Sequence, residues 1–295
     1  MSRKTRTRVV VRGALACVLL AACGGSDPPA LQSTTEFPRP QGAPDIVLLT
    51  VSGHDGSLSG LFCTSESNRS YLGDPGEATD TLVRTLDGLG FTGQVDHYAD
   101  FFDGIDADGD GVTDNPEQQG FLQLVAQLQA VYDNWILGID NPTRIVIVAH
   151  SHGTVWAHMA ASVMSHVPID YLITLDGICY LWECEHEMAV AGWIAANGNP
   201  APWDLSTPCD RWPIPGQGGN FNTEDVVFPN VRINLEVQSD DFFLSDETDN
   251  LRLDGTRTGV FTFFADGEGH NDVCRDGSDA LAWVGDTIRA LELGP

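Results

Sequence analysis

Positive charge is scarce in this sequence, and lysine is almost missing from it. Of the 15 lysine and arginine residues, five stand at positions 3, 4, 6, 8 and 12, which leaves ten arginines and no lysine against 42 acidic residues in the rest of the chain. A surface this acidic repels phosphate backbones, so we expect no nucleic-acid partner. The hydrophobic content of 42% is enough for one sizeable core.

Long hydrophobic runs are also lacking, and the apolar stretch over residues 14–22 is too short to span a bilayer. Because it follows a basic N-terminus, residues 1–22 have the layout of a signal peptide. Leu20-Ala21-Ala22-Cys23 resembles the bacterial lipobox, which implies cleavage before Cys23 and lipidation of that cysteine. Residues 23–44 are rich in Gly, Ser, Pro and Thr and are predicted to be a flexible tether. By resemblance to other lipoproteins, we expect an exported protein held by its lipid on the outer membrane, with its body facing the periplasm or the surface.

The sequence has no CxxC pair, which argues against a cysteine-based zinc site. Five cysteines follow Cys23, at positions 63, 179, 184, 209 and 274. In an exported protein an odd number allows at most two disulfides and leaves one thiol over. We expect one bridge within the trio Cys179, Cys184 and Cys209, and Cys63 with Cys274 is a plausible second. The connectivity itself does not follow from the sequence.

Residues 45–295 alternate β-branched apolar runs with helical patterns, which predicts an α/β domain with a mostly parallel central sheet and helices on both faces. Strands are predicted at residues 46–51, 94–98, 144–149, 171–175, 231–237 and 259–264. Helices are predicted at 77–89, from 121 to about 135, from the end of the third strand to about 166, and at 278–291, with Asn115-Pro116 as the start signal of the second. Residues 177–229 contain Trp182, Trp193, Trp203 and Trp212 and are predicted to be an irregular insertion.

The third predicted strand runs into Ala149-His150-Ser151-His152-Gly153 and then a helix. Small residues around a serine at such a junction allow the strained turn that lifts its hydroxyl above the sheet. The pentapeptide resembles the nucleophile elbow of α/β-hydrolases, and in particular that of bacterial lipases with alanine at the first small position. The resemblance implies the α/β-hydrolase fold, with Ser151 as the nucleophile of an esterase or lipase.

A nucleophilic serine needs a base and an acid that orients it, and in this family they follow in the order serine, acid, histidine. His270 comes after the last predicted strand and is the candidate base. The stretch from Gln238 resembles small bacterial lipases in a way that favours Asp241 as the acid. Asp240 is its neighbour, and Asp176 ends an earlier strand, so both stay open as alternatives.

The resemblance also implies two backbone N–H groups that hold the oxyanion, one after the nucleophile and one in the loop after the first core strand. These would belong to His152 and His54. We expect both residues to act only through their backbone, and His186 to be a solvated loop residue. The chain departs from the family pattern at Ser52-Gly53, where His-Gly is usual, and at Thr154, where many lipases have glycine; these departures bear on substrate class.

A second motif places oxygen ligands at positions 1, 3, 5, 9 and 12 of a twelve-residue loop with glycine at position 6, which is the pattern of an EF-hand loop. The predicted ligands of a structural Ca²⁺ ion over residues 106–117 are Asp106, Asp108, Asp110, the carbonyl of Val112, Asp114 and Glu117. A solvated acidic turn is the alternative. We expect no catalytic role for the metal.

Together these features predict a serine hydrolase that cleaves small-molecule or lipid esters through an acyl-enzyme, anchored to a membrane by its lipid. A peptidase, thioesterase or acyltransferase would use the same residues. From a different class, a non-catalytic, calcium-stabilised binding lipoprotein remains the alternative.

Overall fold

A six-stranded sheet forms the centre of the computed structural model, which describes residues 37–55, 68–104, 114–214, 216–241 and 248–294. Its strands are β1 (Ile46–Val51), β2 (Gly93–Tyr98), β3 (Arg144–Ser151), β4 (Ile169–Gly177), β5 (Val231–Ser239) and β6 (Val260–Ala265). Every neighbouring pair is parallel, and the order across the sheet is β6-β5-β4-β3-β1-β2. The central strands are continuous β-branched and leucine runs because both faces of the sheet are covered.

In the part of the chain that the structure describes, five helices cover the two faces: α1 (Ala78–Gly88), α2 (Phe121–Trp135), α3 (Gly153–Val163), α4 (Trp182–Asn197) and α5 (Asp279–Leu293). Alternate residues of β1 enter two separate cores, since side chains on a strand point to opposite faces. Val47 and Leu49 pack with α2, α3 and α4, whereas Ile46 and Leu48 pack with α1 and α5. The predicted fold class is therefore confirmed. Within the described ranges, no helix has the length and apolar character needed to cross a bilayer.

The start of α2 differs from the sequence analysis. Asn115 accepts a hydrogen bond from the N–H of Glu117, but it caps the short 3-10 turn Pro116–Gln118 rather than α2, which begins after Gly120. Further 3-10 turns lie at Tyr71–Gly73 and Thr223–Asp225. Two parallel pairs of very short strands, Phe37–Pro38 with Ile139–Asp140 and Val226–Val227 with Leu251–Arg252, lie outside the main sheet.

The stretch predicted to be irregular contains a full helix, α4, so that prediction is wrong for its first third. Trp182, His186, Val190 and Ile194 recur every four residues and are the buried side of α4. The pattern is hard to recognise in the sequence because His186 interrupts the buried row, where an apolar stripe is usually continuous.

The cysteines pair only in part as expected. Cys179 and Cys209 form a disulfide that ties the segment before α4 to the loop after it. Cys184 is disulfide-bonded as well. Cys274 is a buried free thiol, so the pairing with Cys63 that the sequence made plausible is wrong; Cys63 itself lies outside the described residues.

Candidate active site

Ser151 occupies a strained turn between β3 and α3. Its φ of +56° lies in the left-handed region, which non-glycine residues rarely adopt and which is typical of functional turns. A Cβ added at Gly53 would lie 2.5 Å from the Cβ of Ser151, and one added at Gly153 would lie 2.1 Å from the carbonyl oxygen of Val51. The turn thus fits only because glycine stands at both positions where the loop after β1 meets it.

Asp176 lies at the end of the neighbouring strand β4. The register of β3 and β4 pairs His150 with Leu175 and Ser151 with Gly177, so Asp176 is an extra residue, and its φ is +46°. Such a bulge re-aims a side chain at the edge of a sheet. It places the Asp176 carboxylate, 1% exposed, at the same edge as Ser151.

His270 is held by that carboxylate. Its Nδ1 lies 2.6 Å from Oδ2 of Asp176, while the N–H and hydroxyl of Ser239 donate to the two carboxylate oxygens at 2.7 and 2.8 Å. Burial alone would raise the pKa of Asp176, but the hydrogen bonds from His270 and Ser239 outweigh it and lower that pKa. Asp176 therefore stays ionised at neutral pH and orients the ring, leaving Nε2 of His270 for proton transfer.

The favoured acid of the sequence analysis, Asp241, is not the residue that contacts His270. Asp241 follows β5, one strand farther from β3 than β4 is, and its N–H donates to the hydroxyl of Ser239. The N–H of Asp240 donates to the carbonyl of Glu268. The structure thus pairs His270 with the alternative acid Asp176, which lies at the end of β4, the strand next to the one that ends at Ser151.

His150, which the sequence analysis left without a role, connects His270 to the loop after β1. Its ring stacks on that of His270 with centroids 4.4 Å apart, and its Nε2 donates to the carbonyl of His270 at 2.8 Å. The hydroxyl of Tyr71 donates to Nδ1 of His150 and accepts the N–H of Gly53 at 3.1 Å. Burial, together with the nearby His270, lowers the pKa of His150 to about 3, so His150 is neutral and can both donate and accept.

The side chains of the two predicted oxyanion residues, His54 and His152, belong to a buried polar cluster. Nδ1 of His152 lies 3.0 Å from Asp100, and Nδ1 of His54 lies 3.3 Å from Glu185. His186, predicted to be solvated, is buried in α4 and contacts Asp100 at 2.9 Å. The prediction for His186 is therefore wrong, because the ends of β1 and β2, the turn at Ser151 and α4 meet at this point.

Neighbouring charges shift the pKa values of Asp100, His152 and His54 in this cluster. Burial would raise the pKa of Asp100, but His186 and His152 lower it far below its ordinary value. Burial would lower the pKa of His152, yet Asp100 and the carbonyl of Tyr180 raise it to about 9. The neighbouring Glu185 carboxylate likewise raises the pKa of His54 despite its partial burial.

The predicted calcium loop lies largely outside the described residues. Asp106, Asp108, Asp110 and Val112 fall in the range 105–113, whereas Asp114 and Glu117 are described and exposed. The carbonyl of Glu117 accepts the N–H of Ser70, which ties the end of the loop to the segment before α1.

Several solved structures are similar to this chain. Est1E from Butyrivibrio proteoclasticus with ferulic acid bound gives a TM-score of 0.39 at 16% identity, over 90% of this chain and 92% of that chain. An esterase domain from a Rhodothermus marinus protein gives 0.40 at 17% identity, over 86% and 89%. The Pyrococcus furiosus esterase Pf2001 gives 0.41 at 12% identity, over 84% and 80%. Neither a protein-family model nor a curated protein matches the sequence. The identities and TM-scores are low, so the function has to be inferred from the site itself.

Proposed function

We propose that this protein is a serine hydrolase that cleaves carboxylic esters through an acyl-enzyme, with Ser151 as nucleophile, His270 as general base and Asp176 as the acid that orients it. The observation that carries the proposal is the contact of 2.6 Å between Nδ1 of His270 and Asp176, at the strand end next to the strained turn of Ser151. A histidine fixed at Nδ1 by a buried carboxylate has its other nitrogen available to a serine hydroxyl.

In the proposed reaction the hydroxyl of Ser151 attacks the ester carbonyl while His270 takes its proton at Nε2. The N–H groups of His152 and His54 hold the oxyanion of the tetrahedral intermediate. His270 then returns the proton to the leaving alcohol, and a water molecule releases the acid from Ser151 by the same steps. Asp176 remains ionised and stabilises the imidazolium that forms in each step.

The first experiment is labelling of the purified protein with a fluorophosphonate probe, which reacts only with an activated serine. We expect wild type to be labelled and Ser151→Ala not to be. A panel of nitrophenyl esters then measures turnover, which Ser151→Ala should lower by about 10⁶-fold. Folded, calcium-loaded protein that takes no label would favour the binding lipoprotein. Labelling without ester turnover would favour a peptidase, thioesterase or acyltransferase.

The acid is tested by a matched pair of substitutions. Asp176→Asn should lower kcat by about 10⁴-fold, since the amide holds the wrong tautomer of the base. Asp241→Asn should retain most of the activity, because the carboxylate at Nδ1 of His270 belongs to Asp176. A large loss in Asp241→Asn with activity preserved in Asp176→Asn would return the role to Asp241.

We also propose that the protein is an outer-membrane lipoprotein lipidated at Cys23, which rests on the lipobox and the basic N-terminus. Metabolic labelling with a fatty-acid analogue should mark wild type and not Cys23→Ser. A label of equal strength in the variant would contradict the anchor.

A structural Ca²⁺ ion bound by residues 106–117 is proposed from the spacing of the acidic side chains. Calorimetric titration should detect one Ca²⁺ ion per chain, and Asp110→Asn should weaken its binding. Esterase activity per folded molecule should not depend on Ca²⁺, because the proposed chemistry has no step for a metal.

A further inference from the structure

Four side chains from four different segments converge behind the elbow. They are His54 after β1, Asp100 after β2, His152 after Ser151, and Glu185 near the start of α4. Each offers one nitrogen or oxygen atom that could bind a metal, and these atoms all lie within 4.8 Å of one another. The side chains of Asp100 and Glu185 are 0% and 1% exposed, and those of His152 and His54 are 5% and 14% exposed.

The cluster contains buried polar atoms that the described residues leave unsatisfied. Nδ1 of His54 and both carboxylate oxygens of Glu185 are buried and have no hydrogen-bond partner in the described part of the chain. His54 Nδ1 faces Glu185 Oε1 at 3.3 Å, too poorly aligned for a hydrogen bond. Burying a carboxylate without hydrogen bonds is costly unless a cation compensates it. This is a feature of a ligand site rather than of a filled core.

The ring nitrogen of His152 and the carboxylate oxygen of Asp100 that point away from the cluster form hydrogen bonds with neighbouring groups. Hydrogen bonds of this kind orient the ligands of metal sites. Nε2 of His152 donates to the carbonyl of Tyr180 at 2.8 Å, which leaves Nδ1 directed at Oδ2 of Asp100. The other oxygen of Asp100 accepts from Nε1 of Trp156 at 2.6 Å and from Nε2 of His186 at 2.9 Å. A backbone carbonyl on the far nitrogen of a histidine, and donors on the far oxygen of a carboxylate, are the usual supports of a metal site.

We propose that His54, Asp100, His152 and Glu185 bind one Zn²⁺ ion. Two imidazoles and two carboxylates suit zinc better than calcium or magnesium, which prefer sites made only of oxygen. The separations of 3.0 Å between His152 and Asp100 and of 3.3 Å between His54 and Glu185 are close to the edge of a zinc tetrahedron, which is about 3.3 Å for bonds of about 2.0–2.1 Å. Two carboxylates also balance the charge of the ion. The competing state is a metal-free cluster in which both histidines are protonated.

Zinc at this site would affect the proposed reaction by fixing the oxyanion-binding residues in place, and it would not take part in the reaction itself. His54 and His152 are the residues whose N–H groups are proposed to hold the oxyanion, so the ion would tie the loop after β1 to the elbow and to α4. His54 and His152 would then be held in register without the metal touching the substrate. This consequence rests on the proposed function, whereas zinc binding itself does not.

The test compares wild type with Glu185→Gln, which keeps the size of the side chain and removes the anionic ligand. Glu187→Gln is the matched control, since Glu187 is exposed on the same helix. Each purified protein is stripped with a chelator, returned to buffer with Ca²⁺, and titrated with ZnCl₂ by calorimetry, with the metal content measured by mass spectrometry. Circular dichroism checks the fold, and His54→Gln serves as a second variant if Glu185→Gln does not fold.

We expect wild type and Glu187→Gln to bind one Zn²⁺ per chain with a rise in Tm, and Glu185→Gln to bind at least tenfold more weakly with no such rise. Co²⁺ in the wild-type site should give the visible absorption of a tetrahedral centre. Folded wild type that takes up no zinc, or equal binding by Glu185→Gln, would overturn the site.

Fluorophosphonate labelling of the stripped and zinc-loaded forms separates the two proposals. Faster labelling of the zinc-loaded form would support the positioning role, and equal rates with zinc bound would overturn that role while leaving the site. Zinc bound at one equivalent with no labelling of either form would contradict the proposed function and not the metal site.

Discussion

The side chain of His150, next to Ser151, connects several parts of the candidate site. Its ring contacts His270, and its two nitrogens connect His270 to Tyr71 and, through that hydroxyl, to Gly53. Replacing the ring by phenyl would keep the stacking and remove both hydrogen bonds. We therefore expect His150 to position the proposed base, His270, rather than to contact the substrate.

We expect His150→Phe to lower kcat by about 10- to 100-fold with little change in KM, because a small displacement of the base has an effect of that size. Steady-state kinetics on a nitrophenyl ester would measure it. Tyr71→Phe retains the ring of His150, so it should lower kcat by less than His150→Phe does. A change in KM without a change in kcat would contradict the positioning role of His150. So would a fall in activity that is fully explained by a smaller amount of folded protein.

Glu236 carries a pH dependence of stability. Burial raises its pKa to about 7 despite hydrogen bonds from Asn250, Thr262 and Gln238 that favour the ionised form. Because the folded pKa lies above the unfolded value of 4.5, the neutral carboxyl stabilises the fold below pH 4.5, and this contribution is lost as the pH rises through 7. The full loss is about 3 kcal/mol.

Glu236→Gln should remove that dependence, since an amide of the same shape does not ionise. Between pH 6 and pH 8.5 the free energy of unfolding of wild type should fall by more than that of the variant, as measured by urea titration at each pH. If the free energy of unfolding changed with pH in the same way for the two proteins, ionisation of Glu236 would not affect stability in this range, and the prediction would be wrong.

At the scale of elements, the elbow depends on close approach between β1 and the start of α3. A methyl group on Gly153 would lie 2.1 Å from the carbonyl oxygen of Val51, which is backbone and cannot move aside. Gly192, in the exposed part of α4, has nothing within 4 Å of the added carbon. The same substitution therefore has opposite consequences in two helices.

Gly153→Ala should destabilise the fold by several kcal/mol or prevent folding, since the added methyl group could be accommodated only by shifting the backbone. Gly192→Ala should stabilise it by about 0.5–1 kcal/mol through the higher helix propensity of alanine. Thermal unfolding measures both. If Gly153→Ala unfolded at the wild-type temperature, the close contact between the two elements would be ruled out.

For the molecule as a whole, the features that could be predicted from the sequence are those that depend on local hydrophobic patterns. Buried β-branched runs such as Ile145-Val146-Ile147-Val148 specify strands wherever they occur, and the turn at Ser151 follows from its small neighbours. The choice between Asp176 and Asp241 depends on which strand lies next to β3, and no local pattern records that order. The cluster around Asp100 joins four segments far apart in the sequence, and a histidine in each of three of them looks ordinary until the fold brings them together.

The charge of the whole chain leads to the last prediction. Beyond residue 12, ten arginines face 42 acidic residues, a balance of 10 − 42 = −32. Like charges at this density repel one another across the surface and destabilise the compact state, and salt screens that repulsion.

In buffer with fixed Ca²⁺ and Zn²⁺, raising NaCl from about 0.02 to 0.5 M shortens the Debye length from roughly 20 to 4 Å. Tm should rise by several degrees, and KCl should give the same rise because screening depends on ionic strength alone. A Tm that falls with salt would mean that the ion pairs of Arg144 and Arg232 with Glu292 and Asp170 outweigh the net repulsion.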